Sequence, residues 1–136
     1  MREALHIKNE LAELEKLNEF LEQTAKIHHL GGPSLMQFKL ALEEVVTNVI
    51  LYAYPEEKNK DIAIQLAFEN GALVTHIIDS GIAFNPVEKA DPDVSLPADE
   101  RPIGGLGIYL AKQLMTEVKY NRSGNKNILF MRKEIH

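Results

Sequence analysis

Glu44 and Asn48 stand four residues apart. In a helix that is about one turn, so a carboxylate and an amide would lie side by side on the shoulder of the apolar stripe Ala41, Val45 and Val49 and could act on one object. An amide amid aliphatic side chains needs hydrogen-bond partners, because a buried polar group left unpaired is destabilising. Two explanations satisfy that need. Asn48 can bond a neighbouring backbone group or water, or its carbonyl oxygen can ligate Mg²⁺, a hard cation that takes oxygen ligands, keeps waters and is otherwise held by substrate phosphates. On the second explanation Glu44 is a carboxylate within reach of the same phosphates. Glu43, rotated by roughly 100° around the helix, reads as a solvated acid.

Asp79 ends an apolar run and is followed by Ser80, Gly81, Ile82, Ala83 and Phe84. Asp-x-Gly is an ordinary turn sequence. It also suits purine binding, since a buried carboxylate accepts a hydrogen bond from an exocyclic amine and a glycine two residues on lets the base approach the backbone without a Cβ in the way. Further along, Gly104-Gly105-Leu106-Gly107 opens a helix, where unpaired amides and the positive end of the helix dipole can hold phosphate oxygens. Glycines at loop–helix junctions are common for purely structural reasons. This run also lacks the lysine of a P-loop and does not follow a strand as a dinucleotide-binding loop should.

The elements that must position these residues show in the periodicity. Ala4 to Lys8 is compatible with a short strand, and Leu11, Leu14, Leu17 and Leu21 recur at helical spacing from Glu10 to about His28. Gly31-Gly32-Pro33 predicts one helix stopping and another starting, glycine suiting the residue just beyond a helix and proline its first position. The second helix is expected from about Ser34 to Tyr54. It is apolar nearly all round, with Phe38, Ala41, Leu42, Val45, Val49 and Tyr52 on one stripe and Met36, Leu40, Ile50 and Leu51 on other faces, the pattern of a helix covered on more than one side by the core or a partner chain.

Beyond Lys60 the period becomes two: Ile62, Ile64, Leu66 and Phe68 alternate with smaller or polar residues, Asn70-Gly71 predicts a tight hairpin turn, and Leu73 to Asp79 is the returning strand. Between Asn85 and Gly105 four prolines and several acids leave too little apolar surface to offset ordering entropy, so a mobile loop is expected, either an active-site lid or a plain surface insertion. A short helix, Gly107 to Met115, and two strands, Glu117 to Arg122 and Asn127 to Ile135, complete the order. That order predicts an α+β, two-layer sandwich: a mostly antiparallel, mixed sheet with helices packed on one face.

The 136 residues are about the size of a single domain, 1–136, with no internal repeat. A formal net charge of -5 argues against general affinity for nucleic acid or an anionic membrane. No cysteine is present, so disulfides and thiolate metal sites are excluded. The amino terminus lacks the apolar run of a signal peptide and no membrane span is expected, which points to the cytoplasm. The five histidines show no metal-ligand spacing and are assigned no role.

Taken together, Glu44-x-x-x-Asn48, Asp79-x-Gly81-x-x-Phe84 and Gly105-x-Gly107, in this order and separated by a long loop, resemble the N, G1 and G2 boxes of the GHKL ATPase superfamily. Residues 41–56, 79–86 and 100–124 are similar to bacterial anti-sigma-factor serine/threonine kinases, and the resemblance covers nearly the whole chain. It implies the Bergerat (GHKL) fold with an ATP lid, and ATP with Mg²⁺ as ligands. Asn48 then coordinates Mg²⁺, Glu44 acts as general base toward a serine or threonine, and Asp79 binds adenine. The backbone of Gly104, Gly105, Leu106 and Gly107 binds the triphosphate. Arg101 is the nearest match to the arginine that stabilises the γ-phosphate in some relatives, and Asn127 stands where many relatives have an adenine-bonding threonine. The implied partners are an STAS-domain anti-anti-sigma protein, a sigma factor and a second copy of the chain. A nucleotide-binding module that switches partners without catalysis is the alternative reading, and the catalytic half of a split histidine kinase a third.

Overall fold

The computed structural model describes residues 2–83 and 105–135. In chain order these form β1 (Arg2–Lys8), a single 3₁₀ turn (Leu11–Glu13), α1 (Leu14–Ile27), α2 (Pro33–Tyr52), β2 (Asp61–Glu69), β3 (Ala72–Asp79), α3 (Gly105–Leu114), β4 (Glu117–Ser123) and β5 (Lys126–Glu134). The strands make one sheet in the order β1-β2-β3-β5-β4. All four described pairings are antiparallel, so no parallel pair, as a mixed sheet would need, occurs among the described residues.

Period two in β2 and β3 decides which way the sheet faces. Ile62, Ile64, Leu66, Leu73 and Ile77 point to one side and are fully buried, together with Leu129 and Met131 of β5. Against them pack Leu17 and Leu21 of α1, Phe38, Ala41, Leu42, Val45 and Val46 of α2, and Ala111 of α3, forming one core cluster. Cutting Phe38, the largest of the fully buried side chains among the described residues, to alanine would cost about 3–5 kcal/mol by the usual cavity penalty. The helix layer therefore both covers the sheet and places the end of α2 over the end of β3.

The hairpin between β2 and β3 forms at the expected Asn70-Gly71, where φ values of 53° and 75° give the mirror-image turn that matches strand twist. Other boundaries differ from expectation, each for a local reason. α1 ends at Ile27, and Gly31 is not the residue that stops it. His29 takes the left-handed conformation (φ 55°), and the amides of His29 and Leu30 bond back to Lys26 (3.3 Å) and Ala25 (2.8 Å), the Schellman arrangement. Gly32 instead supplies the N-cap of α2, at φ 87°. Glycine preference points to Gly31, whereas the left-handed residue is His29, and Leu30 beyond it packs beside the core.

α2 closes at Tyr52, two residues short of the expected end, and α3 begins at Gly105 rather than Gly107, placing both glycines inside its first turn. No described helix is long and apolar enough to cross a membrane. The lid expected between Asn85 and Gly105, and with it Phe84, Arg101 and Gly104, falls outside the described residues.

Candidate nucleotide site

Asp79 is the last residue of β3 and is 5% exposed. Its Oδ1 accepts two bonds at 2.9 Å, one from the backbone N–H of Gly81 and one from Nδ2 of Asn127. Burial pushes the Asp79 carboxyl above its usual range, since the charged form loses hydration; the bonds from Asn127 and Gly81 and the nearby Arg122 guanidinium pull the other way. Two donors converge on one oxygen. The carboxylate is thus held in a fixed orientation at the edge of the core, with its second oxygen left to other partners.

The turn that follows is fastened to α2. Ile82 donates its N–H to the carbonyl of Ala53, the residue capping α2, at 2.9 Å. Gly81 lies so close to that cap that a Cβ built on it would sit 2.1 Å from the Ala53 carbonyl oxygen. A side chain cannot fit there. The glycine of Asp79-x-Gly81 therefore has a packing reason of its own, besides any approach of a base to the backbone. Tyr54 adds a third tie: its hydroxyl donates to the Asp61 carbonyl (2.9 Å) and accepts from the Ser80 N–H (2.7 Å), joining the start of β2 to the end of β3.

Asn127 stands opposite Asp79 in the β3–β5 ladder. Its Nδ2 donates to Asp79 and, at 2.7 Å, to the Ile82 carbonyl, while its Oδ1 accepts from the Tyr120 hydroxyl and from Arg122 (3.0 Å). Those four bonds use both amide hydrogens and both lone pairs. Through these bonds Asn127 orients the Asp79 carboxylate and the Gly81–Ile82 turn. Arg122 reinforces the same turn by donating to the Gly81 carbonyl at 2.9 Å.

On α2, Asn48 is 5% exposed and its Nδ2 donates to the Glu44 carbonyl at 2.9 Å, one turn back. The local explanation for a mid-helix amide is therefore realised, but only for the nitrogen. Fixing Nδ2 to the backbone also fixes Oδ1, the oxygen a hard cation would use, on the opposite side of the amide. Glu44 and Glu43 are both half-buried, so Glu43 is not the fully solvated acid that its position suggested. Gly105 and Gly107 lie in the first turn of α3, whose leading amides have no partner within the helix.

The structure thus brings together Asp79, Gly81 and Asn127 directly, and links them through Ala53 to the helix that carries Glu44 and Asn48. Sequence reasoning missed Tyr54, Ala53, Tyr120 and Arg122. A tyrosine closing an apolar helix just before Pro55 was the one available signal for Tyr54, since a buried phenol needs a polar partner. The hydroxyl is also held by burial above its ordinary pKa.

An antiparallel sheet with a helix layer on one face, a clamped carboxylate at a strand end and an amide–carboxylate pair on the covering helix define a class of domain. This chain belongs to the family of histidine kinase-like ATPase domains, which matches residues 7–133. Among curated proteins it is similar to the serine-protein kinase RsbW of Bacillus thuringiensis (strain Al Hakam) and to that of Bacillus cereus (strain 03BB102), each 32% identical over 95 residues, or 67% of this chain and 59% of the relative. The chain thus spans about 59% of the length of these relatives. Among solved structures its fold resembles that of a Mycobacterium tuberculosis protein comprising RsbU and RsbW domains, with a TM-score of 0.67, 14% identity and coverage of 98% of this chain and 32% of that one. A histidine kinase domain from Erythrobacter litoralis matches with a TM-score of 0.51 and 18% identity, over 75% of this chain and 45% of that one.

Proposed function

We propose that this domain binds ATP between α2 and the end of β3 and transfers its γ-phosphate to a serine or threonine of a partner protein. The observation that carries the reading is the Asp79 carboxylate, buried and fixed by the Gly81 amide and Asn127, with the turn behind it fastened to the helix bearing Glu44 and Asn48. A clamped acceptor of this kind fits the exocyclic amine of adenine. The residues present also fit Mg²⁺, because the Asn48 amide is tethered through its nitrogen and offers an oxygen to a cation that prefers oxygen. Mg²⁺ would supply neutralisation of phosphate charge.

Glu44 is the assigned base. It takes the proton of the acceptor hydroxyl as that oxygen bonds to the γ-phosphorus, and ADP leaves with the electrons of the broken bridging bond. Phosphoryl transfer asks the protein chiefly for positioning and charge stabilisation, which Asn48, the amides of Gly104, Gly105 and Gly107, and Arg101 would provide. By the resemblance of its motifs to anti-sigma-factor kinases, the partner is an STAS-domain anti-anti-sigma protein, and the domain also sequesters a sigma factor, works as a homodimer and acts in the cytoplasm as a single ATP-binding unit.

Transfer of label from γ-labelled ATP to the STAS-domain protein tests this. Glu44→Gln should keep ATP binding and lose transfer, and Asn48→Ala should lose Mg²⁺ dependence and transfer together. Tight ATP binding with no transfer but nucleotide-dependent partner exchange would instead identify a non-catalytic switch. Acid-labile phosphohistidine on the partner would point to a split histidine kinase.

A further inference from the structure

Helix α2 has an inverted surface. Beyond Pro33 its exposed residues are Met36, Leu40 and Leu51, at 65%, 45% and 45% exposure, whereas its charged residues Lys39, Glu43 and Glu44 are half-buried. Surface helices ordinarily turn charge outward and aliphatic groups inward. The core already takes Phe38, Ala41, Leu42, Val45 and Val46 from this helix. Three aliphatic side chains remain outside it, on one side.

Their placement relative to Glu44 gives the stripe a meaning. At roughly 100° per residue, Met36, Leu40, Leu51 and Glu44 project within about 80° of one another. Leu40 is one turn from Glu44, while Leu51 and Met36 lie about 10 and 12 Å from it along the axis at a rise of about 1.5 Å per residue. We infer that Met36, Leu40 and Leu51 seat the protein substrate whose hydroxyl is presented to Glu44, an inference that rests on the kinase reading above.

Geometry favours that occupant. An acceptor hydroxyl must come within about 3 Å of the base. A specific protein complex covers about 800 Å² of each partner, equivalent to a disc of roughly 16 Å radius, so an acceptor centred on Glu44 overlies all three aliphatic residues. The cores of such interfaces are apolar and depleted in charge, which these residues supply. A second copy docked two-fold on the same stripe would cover Glu44 in both protomers and leave the acceptor no route. The partner surface is therefore an apolar patch flanking a serine or threonine, with a neutral or basic rim to meet Glu43 and Glu44.

The test compares the full chain with its Leu40→Ser/Leu51→Ser variant, measuring ATP affinity, kcat and KM for phosphorylation of the STAS-domain protein. The expected result is a KM for that protein raised at least about tenfold, with kcat and ATP affinity unchanged, the signature of lost docking. An unchanged KM would overturn this inference and leave the kinase reading intact. Absence of transfer by the unmodified chain would overturn the kinase reading and this inference with it. Conversion of a dimer to a monomer by the variant, with KM unchanged, would assign the stripe to a second copy and overturn the inference. Met36→Lys, at the most exposed of the three positions, gives the same comparison should the double variant fold poorly.

Discussion

Asn127 faces Asp79 across the β3–β5 ladder and gives one amide hydrogen to its carboxylate at 2.9 Å. The same nitrogen holds the Ile82 carbonyl, and the amide oxygen collects the Tyr120 hydroxyl and Arg122. Replacing Asn127 with alanine would therefore leave several buried groups without partners. The expected loss is about 2–3 kcal/mol of stability, measured by urea unfolding, together with an ATP affinity weakened at least about tenfold as Asp79 loses its orientation. Full ATP affinity in Asn127→Ala would show that the clamp is dispensable.

Asp79 itself should trade stability for binding. Its folded pKa is raised, chiefly by burial, so the native state holds its proton to higher pH than the unfolded chain does. The sign follows: this group favours folding in acid, and its contribution falls as pH climbs from about 4 through the raised value. Asp79→Asn keeps an acceptor oxygen for Gly81 and Asn127 without the buried charge. Relative to wild type the variant should gain thermal stability as pH rises from 4 to 7, while ATP binding is lost. A stability difference independent of pH would contradict the burial account.

Gly81→Ala should be among the most damaging small substitutions in the chain. The added Cβ would lie 2.1 Å from the Ala53 carbonyl oxygen and 2.6 Å from its carbon, both backbone atoms at the end of a packed helix. Either the Ile82–Ala53 bond breaks or the helix end moves. The expected cost is about 2–4 kcal/mol, with an unchanged denaturant slope in equilibrium unfolding.

Tyr54→Phe removes a hydroxyl that joins the Ser80 amide to the Asp61 carbonyl. The loss should be about 1–2 kcal/mol, since two backbone groups must find water instead. Hydrogen exchange at the Ser80 amide should speed up more than exchange in the middle of β3. Uniform acceleration along β3 would mean that the bridge acts on global stability alone.

Much of this architecture was legible because its signals are local. Alternation in Ile62–Phe68, the Asn70-Gly71 turn and the helical spacing of Leu14, Leu17 and Leu21 each report on neighbours within a few residues. The end of α1 falls within a residue of its expected place, but His29 rather than a glycine takes the left-handed angle that closes it. The contacts that complete the site join residues far apart in the chain: Asn127 with Asp79, Gly81 with Ala53, Tyr54 with Ser80. No periodicity carries such pairings. Asp79 and Gly81 could be singled out as candidates, but the reason Gly81 admits no side chain appears only once α2 lies over the end of β3. For Asn48 the structure realises the local explanation at one atom of the amide, its nitrogen, which donates to the Glu44 carbonyl.

The central claim is that the buried, clamped Asp79 carboxylate accepts a hydrogen bond from the exocyclic amine of a purine. Calorimetric titration of the chain with ATP and with inosine triphosphate, each with Mg²⁺, tests it most directly. At C6 the amine becomes a carbonyl, which offers Asp79 no hydrogen and repels its charge, while the hydrogen that inosine gains at N1 lies one ring position away from the place of the amine. The account predicts that ATP binds at least about a hundredfold more tightly, because a site built around one hydrogen bond rejects the analogue that lacks it. Equal affinities would contradict it.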